Sequence, residues 1–232
     1  MNDGRFQAPP AQGRAFGLKP GISFCRVDGR TIFLDVPADR YLCLSPAGEQ
    51  AFTRLLDGLA LEDHHLSALA NLARTGPLLR GDHASPLAPC PTVPIPRPSH
   101  LDDFVRPGLV ETVAAALSLI RSPLKLRAVG LRRTLAGIDR SKHRANQAAA
   151  LRRQAKVAAA FARLRLIATE KDNCLTRSIA VTERLIAIGA RPQLVIAVKL
   201  QPFYAHAWVQ CDGWLINDRH EFVRNYTPIL VI

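Results

Sequence analysis

The sequence predicts an α+β protein built as two units: a small winged-helix-like module near the N-terminus, then a larger unit of helices packed on a small antiparallel sheet. Three observations carry the prediction. Between residues 16 and 85, three short strand patterns are followed by two helical ones. Residues 82–100 hold Pro86, Pro89, Pro91, Pro94, Pro96 and Pro98 without helical periodicity, which reads as a stiff, extended linker. Beyond it, long helical patterns give way after Pro192 to alternating strand patterns. The implied boundaries are a disordered 1–15, a module over 16–82, a linker over 83–100 and a second domain over 101–232.

A chain of 232 residues, 48% hydrophobic, buries one or two ordinary cores. It has no run of about 18 apolar residues, and Met1 to Pro20 is polar with Gly and Pro, so neither a membrane span nor a secretory signal is expected. A cytoplasmic location follows. Five cysteines, an odd number without Cys-x-x-Cys or His-x3-His spacing, argue against a disulfide framework and a metal site. Cys25 and Cys43 lie in apolar strand-like stretches and read as small core residues. His64 and His65 point about 100° apart on a helix, which suits a solvated face better than metal ligation.

In the first unit, Met1 to about residue 15, with Pro9-Pro10 and Gly13, is too polar to pack. Strands are expected over Ile22–Val27, Arg30–Val36 and Arg40–Leu44, the first two joined by the turn Asp28-Gly29. Ser45 caps a helix running from Pro46 to about Asp57. A second helix, Glu62–Arg74, carries Leu66, Leu69, Ala70 and Ala73 on one face and stops at Gly76-Pro77. A module of this order either reads DNA or captures an extended peptide by strand addition. Charge separates the two: residues 1–85 hold nine Arg/Lys and nine Asp/Glu, whereas a groove reader carries a basic excess. DNA is not the expected partner.

In the second unit, Val110, Val113, Leu117 and Ile120 repeat at helical spacing up to Pro123. Further helices are expected over Lys125–Leu135 and Arg144–Ile167. Residues 121–165 hold thirteen Arg/Lys against the single acid Asp139, an excess equal to the +12 of the whole chain. Three readings stay open: a solvated basic face whose stems cover apolar surface, a dock for an acidic partner, and a phosphate site, for which no Gly-rich loop is present.

Around Cys174 the pattern carries chemistry. Leu175, Ile179, Leu185 and Ile188 are apolar and Arg177, Glu183 and Arg184 polar at helical spacing, so Cys174 falls on the first turn of a helix capped by Thr169–Asn173 and ended by Gly189. Free amides and the helix dipole favour a thiolate there. Strands follow over Gln193–Lys199, Phe203–Gln210 and Trp214–Asp218, the last two joined at Cys211-Asp212-Gly213. A two-residue loop sets His206 opposite Arg219; a three-residue loop, with Gly213 left-handed in a bulge, sets it opposite Asp218 on one face. The three-residue loop is the expectation. It puts Trp208, Trp214 and Ile216 on the His206 face, where they either exclude water or simply fill the core, and turns Asn217 away. Asp212 reads as a turn residue rather than the acid, and His220 lies past the strand end, less firmly oriented than His206. A cysteine beside a histidine that a carboxylate orients is a nucleophile, a base and its orienter: Cys174, His206 and Asp218, with the Cys174 N–H as one oxyanion donor.

The order Cys174, His206, Asp218, the motif Cys-Leu-Thr-Arg-Ser and the strand His-Ala-Trp-Val with an Asp twelve residues beyond its histidine resemble the B proteins of lasso-peptide biosynthesis. Those are transglutaminase/papain-like cysteine proteases that remove the leader from a precursor peptide. This resemblance covers about residues 100–232. A weaker one covers about 16–85, where Ile-Phe-Leu-Asp-Val and Tyr-Leu-Cys-Leu-Ser-Pro are similar to the precursor recognition element of the same systems. The resemblance implies a leader peptidase fused to its recognition element, with the third strand (Arg40, Tyr41, Leu42, Cys43, Leu44) and the last helix (Leu66, Leu69, Ala73) forming the leader groove. The alternative for each leucine is a place in the core. Also implied are a lasso precursor as substrate, an asparagine-synthetase-like cyclase as partner, and no bound cofactor, ATP being associated with the coupled reaction. Acyl transfer to an amine and a non-catalytic peptide- or DNA-binding role remain the alternatives.

Overall fold

The computed structural model describes residues 16–81, 85, 87–144, 150–164 and 174–232. The expected disorder of 1–15, the Thr169–Asn173 cap and the far end of the helix toward Ile167 lie outside the described residues. The chain divides into two compact units, one ending at Pro89 and the other running from Cys90 to Ile232. Among the described residues no helix is long and apolar enough to cross a membrane.

The first unit contains β1 (Phe16–Leu18), β2 (Ile22–Val27), β3 (Arg30–Asp35), β4 (Arg40–Cys43), α1 (Pro46–Leu56), α2 (Asp63–Thr75) and β5 (Leu78–Arg80). β2, β3 and β4 form an antiparallel sheet in that order, and β1 pairs with β5. Asp28 and Gly29 take φ of 49° and 75°, the positive pair that a two-residue hairpin turn needs. Ser45 Oγ accepts the Gly48 N–H at 3.2 Å and caps α1. The rings of Phe24, Phe33 and Phe52 meet with centroids 5.2–5.5 Å apart at the centre of a core that includes Leu44, Leu69 and Leu78. β1 and β5 escape sequence reading because three residues are too few to show alternation.

Three expectations fail here. Cys43 is exposed, not core, because it ends β4, the edge strand of its sheet; Cys25 is buried as expected. His65 is buried rather than solvated: its Nδ1 accepts the Glu62 N–H at 3.2 Å, closing a capping box at the start of α2, while His64 stays outside. Leu44 and Leu69 are 5% and 0% exposed within the core, so they offer no side chain to a bound peptide. Of the other groove candidates, Arg40 and Cys43 are exposed, and Tyr41, Leu42, Leu66 and Ala73 are half-buried.

The second unit contains a 3-10 turn (His100–Asp102), α3 (Leu109–Arg144), α4 (Leu151–Arg163), α5 (Cys174–Ala187), β6 (Gln193–Lys199), β7 (Tyr204–Cys211), β8 (Trp214–Leu215), α6 (His220–Val223) and β9 (Thr227–Val231). The sheet runs β8-β7-β6-β9, antiparallel throughout. Pro123 does not end its helix, as expected from sequence; it lies inside α3, and the break falls at Gly130, with φ 78° and ψ 165°. A proline within a helix costs about 3 kcal/mol. Tertiary contact along α3 offsets that cost. Glu111 holds Arg184 of α5 through two bonds of 2.6 and 2.9 Å, and Ala115, Ser122, Leu131, Leu135 and Ile138 are buried. Gly130 is exposed, and with no Cβ it takes the non-helical backbone at little strain. Arg121, Arg127, Arg132, Arg133, Arg152, Arg153 and Lys156 are exposed, so this part of the basic excess faces solvent.

The segment from Val93 to Asp103, expected up to residue 100 as a stiff, extended linker, is a strap laid on the sheet. Val93 and Ile95 pack against the buried cluster of Val195, Ala197, Trp208, Leu215 and Val223 in the second unit. The Pro94 carbonyl accepts Gln210 Nε2 at 3.2 Å, and the Pro98 carbonyl accepts the Leu215 N–H at 2.9 Å. Proline suits such a strap because its carbonyl still accepts while its missing N–H leaves nothing unpaired.

Candidate active site

Cys174 opens α5, so its side chain lies at the end of the helix where unpaired N–H groups converge. α5 is fixed to the sheet by Ser178, whose buried hydroxyl donates to the Ala207 carbonyl at 2.9 Å. That contact sets the first turn of α5 beside His206 of β7. His206 Nε2 lies 2.5 Å from Asp218 Oδ2, and the imidazole also interacts with the Cys174 side chain. The three expected residues thus form one chain: thiol, imidazole, carboxylate.

The register that brings them together is not the expected one. β7 pairs Gln210 with Leu215 and Cys211 with Trp214, which is a two-residue loop. Asp212 and Gly213 take φ of 48° and 80°, as in the Asp28-Gly29 turn. A continued ladder in this register would set His206 opposite Arg219. The ladder stops instead. After Ile216, whose N–H bonds the Val209 carbonyl at 2.9 Å, the chain bends away from the sheet. Asn217 then takes over with its side chain: Oδ1 accepts the Val209 N–H at 2.8 Å and Nδ2 donates to Ser178 Oγ at 2.9 Å. The bend carries Asp218 back to the imidazole. It also separates the aromatic residues. Trp208 stays beside His206, with ring centroids 6.3 Å apart, whereas Trp214 is stacked on His100 at 4.6 Å. Tyr226, not singled out from sequence, takes the expected place of Trp214 with its ring 5.4 Å from His206.

The other carboxylate and the other base have different work. Asp212 sits at the hairpin tip and accepts Gln154 Nε2 at 2.6 Å. His220 Nδ1 faces the Pro96 carbonyl at 3.1 Å. Asp218 is held at both oxygens, since Oδ1 accepts the Arg219 N–H at 2.8 Å.

The electrostatics follow from these contacts. Burial pushes the Cys174 thiol up, but the hydrogen bond and charge of His206, with the N–H groups of Ala207 and Leu175, outweigh it and hold the thiol below its ordinary value. Burial pulls His206 down; the hydrogen bonds to Asp218 and Cys174 and the charges of both reverse that and push it up to about 9. A depressed thiol beside an elevated imidazole favours the thiolate–imidazolium pair. Burial pushes Cys90 the other way, to about 11, and burial together with the charge and hydrogen bond of Asp212 pushes Cys211 to about 12.

Asn217 and Ser178 support this geometry without belonging to the titrating chain. Asn217→Leu leaves the Val209 N–H without its acceptor and is expected to cost about 1–3 kcal/mol in denaturant unfolding. It should also slow alkylation of Cys174, because Asp218 follows directly. The visible signal for Asn217 is an amide side chain set between apolar Ile216 and the acid.

A helix and an adjacent antiparallel sheet thus bring together a cysteine, a histidine and a carboxylate, and the family comparison places them in one domain. The profile described as the transglutaminase-like superfamily matches residues 116–231, and the chain belongs to that superfamily. Over 48 residues it is 46% identical to the microcin J25-processing protein McjB of Escherichia coli, a stretch of 21% of this chain and 23% of the relative. The chain thus spans under a quarter of that relative's length in the match. No solved structure matches it.

Proposed function

We propose that the protein is a cysteine peptidase that binds the leader of a ribosomally made lasso precursor through its first unit and cleaves it from the core. The observation that carries the reading is the Cys174–His206–Asp218 chain with its depressed thiol and elevated imidazole. The likeness to a microcin-processing protein supports the substrate class. In the reaction the Cys174 sulfur attacks the scissile carbonyl and forms a C–S bond. The carbonyl oxygen becomes an oxyanion, for which the Cys174 N–H is one donor. His206 gives its proton to the leaving amine as the C–N bond breaks, then takes a proton from the water that hydrolyses the thioester. Asp218 holds the imidazole for both steps. For the leader, the edge strand β4 offers an open ladder through Arg40, Tyr41, Leu42 and Cys43, with Leu66 and Ala73 as flanking side chains. The freed core amine is then available to an asparagine-synthetase-like, ATP-using cyclase.

The test is the mass spectrum of the precursor encoded beside this gene after incubation with the full chain. A leader fragment heavier by one water, together with free core, is expected. A leader joined to an added amine without that water would make the protein an acyl transferase. Intact precursor that still binds would make it a recognition protein.

A further inference from the structure

Asp218 has left the β-ladder, so backbone pairing with β7 does not hold it. The strap does. Ser99 Oγ donates to the Asp218 carbonyl at 2.6 Å, and Ser99 itself is 3% exposed. The neighbours of Asp218 are tied to the same segment: Leu215 to the Pro98 carbonyl, Arg219 to Asp102 at 2.9 Å, and His220 to the Pro96 carbonyl. His100, also 3% exposed, lies flat on Trp214, with an interplanar angle of 8°, and its Nδ1 meets Asp103 at 2.6 Å. Ser99 Oγ further accepts the Leu101 N–H at 3.1 Å, so one hydroxyl both starts the 3-10 turn and grips the acid's backbone.

We propose that Val93–Asp103 is a positioning element of the catalytic triad, with Ser99 as the residue that sets Asp218 against His206. The structure thus assigns this stretch to the peptidase and not to a tether. Ser99 touches none of the reacting atoms; it acts through Asp218. A positioning hydroxyl of this kind affects the turnover step and the titration of the thiol while leaving substrate binding alone.

The kinetic part of the test rests on the peptidase reading; the chemical part does not. Four full-length proteins are compared: wild type, Ser99→Ala, Ser99→Thr and Ser99→Val. Thr and Val share a shape, so a defect from shape alone would strike both, and only the hydroxyl separates them. Each is treated with iodoacetamide across pH, and alkylation is read on the Cys174 peptide by mass spectrometry. In Ser99→Ala and Ser99→Val the midpoint of the profile is expected to rise by roughly one pH unit, with Ser99→Thr close to wild type. On the precursor, kcat of the Ala and Val variants is expected to fall roughly five- to tenfold, as for one lost hydrogen bond, with KM unchanged. Superimposable alkylation profiles for Thr and Val would overturn the inference. If the profiles separate while no protein cleaves the precursor, the positioning role stands and the peptidase reading fails.

Discussion

Cys174→Ala is expected to abolish cleavage of the precursor, with a loss on the order of 10⁵-fold or more in kcat, while leader binding stays at the wild-type level. The two halves of this expectation have separate causes. Without the sulfur there is no covalent step, and His206 and Asp218 have no nucleophile to serve. Binding is assigned to the first unit, which the substitution does not touch. The fold should survive because α5 is anchored elsewhere: by Ser178 on the Ala207 carbonyl, by Arg184 on Glu111, and by the buried Ile179, Val181 and Leu185. Alanine also suits the first turn of a helix. Mass spectrometry of the products with a parallel binding titration checks both halves. Residual cleavage at a hundredth of the wild-type rate would remove Cys174 from the nucleophile's place; Cys90 and Cys211 are poor substitutes, since both thiols are pushed up.

How much of this was visible before the structure depends on the range of the interaction. The first hairpin was legible because Asp28-Gly29 is a local signal, and the same holds for the Ser45 cap. The nucleophile's position was legible because helical spacing places Cys174 on a first turn. The hairpin after β7 shows the limit. Asp212-Gly213 permits two loop lengths, and on a continuous strand only the longer one brings Asp218 opposite His206. The structure keeps the shorter loop and gives up the strand. That option cannot be read from alternation, because Asn217 replaces a ladder bond with a side-chain bond to Val209. The strap was missed for a related reason. Six prolines in irregular sequence look like a stiff linker, and what packs the last three of them is the carbonyls of Pro94, Pro96 and Pro98 meeting Gln210, His220 and Leu215 far along the chain. A local trace was present all the same: Ser99-His100-Leu101-Asp102 has the Ser-x-x-Asp spacing of a capping signal within the proline-rich stretch. Pro123 misled in the opposite direction, since the packing of α3 on α5 through Glu111 and Arg184 outweighs a local breaker.

Asp218→Asn tests the electrostatics of the site directly, and its effect on pH dependence has a definite sign. In the wild type, cleavage should follow a bell. On the acid side it is lost as the Cys174 thiolate is protonated, below the ordinary thiol range; on the alkaline side it is lost as His206 gives up its proton near 9. Asparagine keeps the shape of Asp218 and removes its charge. The burial that pulls His206 down is then less opposed, so the imidazole is expected to titrate well below 9. Losing the imidazolium removes the main group that lowers the Cys174 thiol, so the thiol rises. The two limbs therefore move toward each other. Near neutral pH the thiolate–imidazolium pair becomes a minor species, and kcat is expected to fall roughly 10²- to 10⁴-fold. Alkylation of Cys174 across pH reads the same change without any substrate, as a midpoint displaced toward the ordinary thiol. An Asp218→Asn protein with the wild-type alkylation profile would mean that the 2.5 Å contact between His206 and Asp218 does not set the charge of the pair. Hydrogen bonding from Ala207 and Leu175 alone would then have to account for the low thiol. Those two N–H groups lie on different elements, β7 and the first turn of α5, and neither carries a formal charge. The carboxylate is the group whose removal must be felt at the sulfur.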